Sequence, residues 1–127
     1  MLTEDYCWLM RRDLSVVVPS PEWPAGLQLS EYHPELGVAV HRLMEFGYLD
    51  GGGRVAALEM WQRQFETDPE YDPALCFIAL EGAEVVGVCQ CWTSAYIKNL
   101  VVHPRFQGRG LGRALLLQAF KVFEQRR

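Results

Sequence analysis

The run Gln107-Gly108-Arg109-Gly110-Leu111-Gly112-Arg113 carries the most chemistry in this chain. Glycines let a backbone take conformations that turn several N–H groups toward one point. A helix that follows such a loop adds the positive end of its dipole. Loop and helix together make a seat for a phosphate or pyrophosphate, so the expected partner is an anionic cofactor. Glycine at a helix start costs about 1 kcal/mol relative to alanine. A charge-assisted hydrogen bond from N–H to phosphate is worth roughly 1.5–3 kcal/mol. Two or three such bonds outweigh the glycine penalty. Arg109 and Arg113 add positive charge beside the anion, or stand as ordinary solvated helix arginines.

Three types of phosphate loop compete for this run. A Walker loop needs Gly-Lys followed by Ser or Thr, and no Lys-Ser or Lys-Thr follows these glycines. A dinucleotide fingerprint needs G-x-G-x-x-G tight after a strand, with an acidic residue on a second strand about 20 residues later. Here the glycines run G-x-G-x-G, and Arg127 comes too soon for that strand. The third type is Q/R-x-x-G-x-G/A after an apolar strand ending in Val-x-Pro. Tyr96 to Val102 supplies the strand, Val102-His103-Pro104 the turn, and Gln107 to Gly112 every defined loop position.

This segment resembles the acetyl-coenzyme A binding motif of the GNAT superfamily of N-acetyltransferases. The match is close from Tyr96 to Phe123 and looser, in element order, back to about Leu27. The resemblance implies an α+β fold of three α/β/α layers around a mixed, mostly antiparallel sheet. It implies acetyl-CoA as cofactor and direct attack of a primary amine on the acetyl carbonyl. Backbone groups of Leu100, Val101 and Val102 would hold the pantetheine arm. Those of Gly108, Arg109, Gly110, Leu111, Gly112 and Arg113 would hold the pyrophosphate, with Gln107 closing the loop. Some relatives carry a glutamate base near the start of the strand. Alignment on the glycine loop puts Tyr96 there, so Tyr96 is the candidate catalytic residue. A phenol is a weak base near neutrality, and water-mediated deprotonation is the competing route. Family members usually continue after the loop helix with a fifth strand and a further helix, and the sequence stops at Arg127. Two alternatives therefore stand beside an active enzyme. One is a CoA-binding module without turnover. The other is a truncated fragment of a larger, tandem acetyltransferase.

The positioning elements follow from pattern. Pro19, Pro21 and Pro24 mark residues 15–26 as an extended linker. The expected division is a strand-like N-terminal segment and linker over residues 1–26, then an acetyltransferase domain over 27–127. Leu27 to Ser30 alternates like a short strand. From Pro34, Leu36, Val40, Leu43 and Met44 share a helical face. Gly51-Gly52-Gly53 is a loop. A second helix puts Val55, Leu58, Trp61 and Phe65 on one face. Cys76 to Leu80, Val85 to Trp92 and Tyr96 to Val102 form a meander of strands, the first two joined by a turn over Glu81 to Glu84. A helix from about Gly108 is expected to bury Leu115, Leu116, Ala119, Phe120 and Phe123. Phe46, Tyr48 and Trp61 are candidates to line the acceptor site, against a plainer reading as core aromatics. His41 and His103 are read as structural or surface residues.

Composition bounds the rest. A chain of 127 residues with 50% hydrophobic and 12% aromatic content suits one packed domain. A net charge of −4 argues against a nucleic-acid partner and suits a cationic small-molecule or peptide amine. No apolar run approaches membrane-spanning length and no signal peptide is visible, so a cytoplasmic location is expected. Among Cys7, Cys76, Cys89 and Cys91, the pair Cys89 and Cys91 is C-x-C, which fits neither a zinc nor a thioredoxin site. At strand period the two share a face and act as small apolar residues. No metal site is expected. The strand Tyr96 to Val102 would be an exposed sheet edge. The segment Asp5 to Leu14, in its own sheet or a partner's, is the candidate to cover it, which gives a homodimer in the second case.

Overall fold

The computed structural model describes residues 10–48 and 55–126. Four strands form one sheet in the order β1 (Gln28–Glu31), β2 (Cys76–Glu81), β3 (Glu84–Trp92) and β4 (Tyr96–Val102). All three pairings are antiparallel. The β2–β3 turn closes on Gly82 at φ +60°, a conformation that glycine adopts without strain. Helices α1 (Gly37–Gly47) and α2 (Leu58–Glu66) cover one face, and α3 (Leu111–Gln125) covers the other. These are the three α/β/α layers that the family resemblance implies.

Strand alternation sends the two faces to two cores. Ile78, Val88 and Val101 pack with Val40, Leu43 and Met44 of α1 and with Trp61 and Phe65 of α2. Phe77, Ala79 and Cys89 pack with Leu111, Leu115, Ala119 and Phe123 of α3. Burying each large apolar side chain contributes about 1.5–3 kcal/mol, so both helical layers are held chiefly by these stripes. The approach of α3 is close because Gly87 has no side chain. A Cβ there would stand 3.0 Å from Leu111 Cδ2 and from Leu115 Cδ1. This contact fixes the rotation of α3. The stripe Leu111, Leu115, Ala119 and Phe123 faces the sheet, and Leu116 and Phe120, expected in the core, are only half-buried.

Other boundaries shift slightly. The Pro34 segment begins as a 3-10 turn, Pro34–Leu36, before α1 starts. Val55 precedes α2 and packs against the core from outside the helix. Helix α3 starts at Leu111, because Gly110 holds φ +84° and serves as its N-cap. Gly51-Gly52-Gly53, Cys7 and residues 5–9 of the Asp5 to Leu14 segment lie outside the described residues. The described part of the N-terminal segment runs beside α3. Leu14 and Trp23 join its core, Arg12 stands 6.0 Å over the Phe120 ring, and Lys121 Nζ donates to Ser20 Oγ at 3.1 Å. Cys76, Cys89 and Cys91 are buried free thiols. The Cys89 and Cys91 sulfurs are 3.7 Å apart, as expected for residues sharing a face. Their mutual hydrogen bond and burial push the Cys89 thiol well up, and burial does the same to Cys76, so both stay protonated.

Candidate active site

The glycine loop sits where β4 ends and α3 begins. His103 and Pro104 turn the chain out of the sheet. The His103 amide donates to the Val86 carbonyl at 2.8 Å, and its ring Nδ1 accepts from the Arg105 amide at 3.1 Å. A 3-10 turn, Pro104–Phe106, follows. Arg105 anchors this turn to the β2–β3 hairpin through Glu81 at 3.0 Å and Glu84 at 2.7 Å. Gln107 Nε2 donates to the Val102 carbonyl at 3.1 Å, closing the loop across its base. His103 is thus a structural residue, and Phe46 stacks on its ring at 5.6 Å and an interplanar angle of 7°.

Gly108 at φ +77° and Gly110 at φ +84° are both left-handed. A left-handed residue next to a right-handed one curls successive N–H groups into a concavity suited to an anion. Among the described residues, none accepts a hydrogen bond from the amides of Gly108 to Arg113. The next amide along the chain, Ala114, donates to the Gly110 carbonyl at 3.0 Å. A Cβ at Gly108 or Gly110 would meet nothing within 4 Å, so no side chain fills the space beside them. At Gly112 a Cβ would lie 3.6 Å from Val102 Cγ2, an ordinary contact. Arg109 lies over the Phe106 ring at 5.1 Å, and neither Arg109 nor Arg113 joins an ion pair among the described residues. The arrangement can bind a multivalent anion through main-chain donors, with two guanidinium groups close by.

A cleft of about 880 Å³ opens on the other face of the sheet, between α1, α2 and the β3–β4 pair. Tyr48 and Trp61 line it, as proposed from sequence, and Phe46 does not. The cleft owes its shape to an irregular register. Gln90 pairs with Asn99 and Cys91 with Ile97, which leaves Lys98 as an extra residue on β4. Such bulges re-aim side chains, and here both Lys98 and Asn99 border the cleft. Tyr48 donates its hydroxyl proton to Asn99 Oδ1, and Asn99 Nδ2 donates to Gln90 Oε1 at 2.6 Å. Burial raises the Tyr48 pKa, which keeps that proton on the phenol. Asp68 also lines the cleft, its Oδ1 accepting from the Glu70 amide at 2.8 Å.

His41 is buried under the same wall. Its Nε2 lies 2.7 Å from the Ala56 carbonyl and its Nδ1 3.1 Å from Glu45. It therefore holds the chain entering α2, a structural part in keeping with the sequence reading. Tyr96 stands at the start of β4, half-exposed, directly across from Trp92. Cross-strand partners share a face, so Tyr96 sits at the rim of the cleft and not among its lining residues. Sequence reasoning missed Gln90, Asn99, Lys98, Asp68 and Trp92. The available signal was Gln90, a polar residue inside the otherwise apolar run of β3.

A sheet with a loop of amides unpartnered among the described residues on one side, and a cleft on its other face, is the layout of an acyl-CoA N-acyltransferase. The model of the Acetyltransferase (GNAT) family matches residues 37–127, and the chain belongs to this family. A mycothiol acetyltransferase of Thermobispora bispora is 30% identical over 126 residues, covering 87% of this chain and 41% of the relative. One from Mycobacterium ulcerans is 32% identical over 139 residues, covering 92% and 42%. The chain thus spans about two-fifths of the length of these curated relatives. Among solved structures, a GCN5-related N-acetyltransferase from Sphaerobacter thermophilus superposes with a TM-score of 0.76 at 27% identity, covering 89% of this chain and 36% of that one. An aminoglycoside acetyltransferase from an uncultured soil metagenomic sample, solved with sisomicin, gives 0.57 at 19% identity over 80% of this chain and 71% of its own. At that identity the second shares the fold.

Proposed function

We propose that this chain binds acetyl-CoA at the Gln107–Arg113 loop and transfers the acetyl group to a primary amine held in the cleft beside β4. The observation that carries the reading is the set of amides from Gly108 to Arg113 that find no partner among the described residues, beside Gly108 and Gly110 that leave room for phosphate oxygens. Acetyl-CoA, when bound, supplies an acetyl thioester. Main-chain amides of Gly108, Arg109, Gly110, Leu111, Gly112 and Arg113 hold its pyrophosphate, and the Arg109 and Arg113 side chains add charge. The backbone of Leu100, Val101 and Val102 holds the pantetheine arm and orients the thioester carbonyl. A main-chain N–H there polarises that carbonyl.

The incoming amine must lose a proton as its C–N bond forms, and the departing thiolate must gain one. Tyr96, at the cleft rim, relays the amine proton to solvent in this account. The acceptor is a small-molecule or peptide amine. The relatives named mycothiol acetyltransferases favour a small molecule. We place the enzyme in the cytoplasm. Among the described residues, no helix is long and apolar enough to cross a membrane. No described strand pairs with the outer edge of β4, which leaves that edge for a strand from a longer chain or, in a homodimer, from a second copy.

Thiol release from acetyl-CoA with a panel of primary amines tests the proposal. Turnover with at least one amine supports it. Coenzyme A binding without turnover favours the non-catalytic module, and no binding removes the cofactor assignment.

A further inference from the structure

Gln90 is 2% exposed in the middle of a strand whose neighbours Val88, Cys89 and Cys91 are sealed from solvent. Amides are rarely placed so deep unless each polar atom is used. Its Oε1 is used by Asn99 Nδ2, and Asn99 Oδ1 is used by the Tyr48 hydroxyl. The chain of hydrogen bonds therefore runs in one direction, from Tyr48 through Asn99 to Gln90, and ends on Gln90 Nε2. That nitrogen finds no acceptor among the described residues. None of their side-chain nitrogens or oxygens is both sealed from solvent and unpartnered. Gln90 Nε2 must therefore reach open space, and the space Gln90 borders is the cleft.

We infer that the cleft selects amines that also carry an oxygen acceptor, and that Gln90 Nε2 reads this oxygen from the floor of the cleft. The chemistry is that of aminoacyl compounds and amino alcohols, not of purely hydrocarbon amines. The direction of the relay decides the sign. Tyr48 keeps its proton on Asn99, so the buried end of the relay can offer only N–H. A carbonyl or hydroxyl oxygen completes Gln90, whereas a methylene group leaves it unpaired. Trp61 and Trp92 supply apolar walls for the carbon frame, and Asp68 and Lys98 put charges of both signs at the cleft border. The inference rests on the proposed acceptor cleft, but its readout is binding and does not need turnover.

The test is side-chain amide NMR on the full chain, with the Gln90 NH₂ pair assigned by its loss in Gln90→Met. Three probes of similar size are titrated: propylamine, ethanolamine and glycinamide. The inference expects ethanolamine and glycinamide to move the Gln90 pair and to bind about three- to ten-fold tighter than propylamine. Ethanolamine and glycinamide separate a hydroxyl from a carbonyl as the preferred oxygen. Gln90→Met should remove the preference while coenzyme A affinity stays unchanged. Equal affinities for the three probes, or a Gln90 pair that does not respond, overturn the inference. The wild-type comparison decides if Gln90→Met fails to fold. A preference that persists in a chain unable to bind coenzyme A sinks the cofactor assignment and leaves the Gln90 inference standing.

Discussion

Gln107 Nε2 donates to the Val102 carbonyl oxygen at 3.1 Å, joining the first loop residue to the last residue of β4. One hydrogen bond thereby couples the strand proposed to hold the pantetheine arm to the loop proposed to hold the pyrophosphate. Both ends are partly solvated, so the net contribution is about 0.5–1.5 kcal/mol. Gln107→Ala is expected to weaken coenzyme A binding about three- to ten-fold, read by calorimetry, with little change in Tm. A large loss of Tm with unchanged affinity would make this bond a fold element only.

Gly110 and Gly112 differ in what a side chain there would cost. Gly110 holds φ +84°, where an L-residue is strained by about 1–2 kcal/mol. Gly110→Glu therefore disturbs the helix start as well as the seat. Gly112 lies inside α3, and a methyl there makes only an ordinary contact with Val102. Gly112→Ala should keep or raise stability, by up to about 1 kcal/mol. It should leave coenzyme A affinity within about three-fold of wild type, because the last position of the loop pattern takes Gly or Ala and the methyl faces Val102. Thermal melts and calorimetry on one sample check both halves.

Tyr96 stands across from Trp92 at the rim of the cleft. In the proposed reaction, Tyr96→Phe removes a proton relay without removing a packed ring. The expected result is a fall in kcat of about ten- to a hundred-fold, toward the low end of general-base contributions, with KM for acetyl-CoA unchanged. A kcat equal to wild type across the pH range would assign deprotonation to water.

Asp72 links the far side of the sheet to the end of α3. Its carboxylate accepts from Arg126 Nη1 at 2.8 Å and from the Ala74 amide at 2.9 Å. Arg126, foremost, and the Ala74 amide hold its pKa below the ordinary carboxylate value. A lowered folded-state pKa stabilises the protein above the unfolded value, near about 3.9. That contribution is lost as pH falls further, through the folded-state value. Asp72→Asn should cost about 1 kcal/mol at neutral pH and lower Tm by a few degrees. The gap to wild type should narrow as pH falls below the ordinary carboxylate range and close once the folded-state carboxyl is protonated. A gap that stays constant as the carboxyl is protonated would show the charge plays no part.

Much of this layout was legible in residue order. The Val102-His103-Pro104 turn and the glycine spacing located the loop because both depend on local backbone conformation. The meander was legible because β2, β3 and β4 are apolar runs cut by Gly82 and by the Thr93–Ala95 turn. The rotation of α3 was not. Leu115 and Leu116 are equally apolar, and only the gap at Gly87, on a strand distant in sequence, chooses between them. The cleft was half legible. Tyr48 and Trp61 announced themselves as aromatics, but Lys98 and Asn99 reach the same side only through a one-residue slip of register. Alternation from β4 alone would place them on opposite faces.

Main-chain donors between Gly108 and Arg113 are proposed to hold a diphosphate. The decisive experiment is calorimetric titration of the full chain with coenzyme A, and with pantetheine lacking the nucleotide and pyrophosphate. Saturable one-to-one binding of coenzyme A is expected, far tighter than pantetheine, with backbone amide NMR shifts concentrated at Gly108 to Arg113. Equal affinity for the two compounds, or shifts that leave these amides untouched, would contradict it.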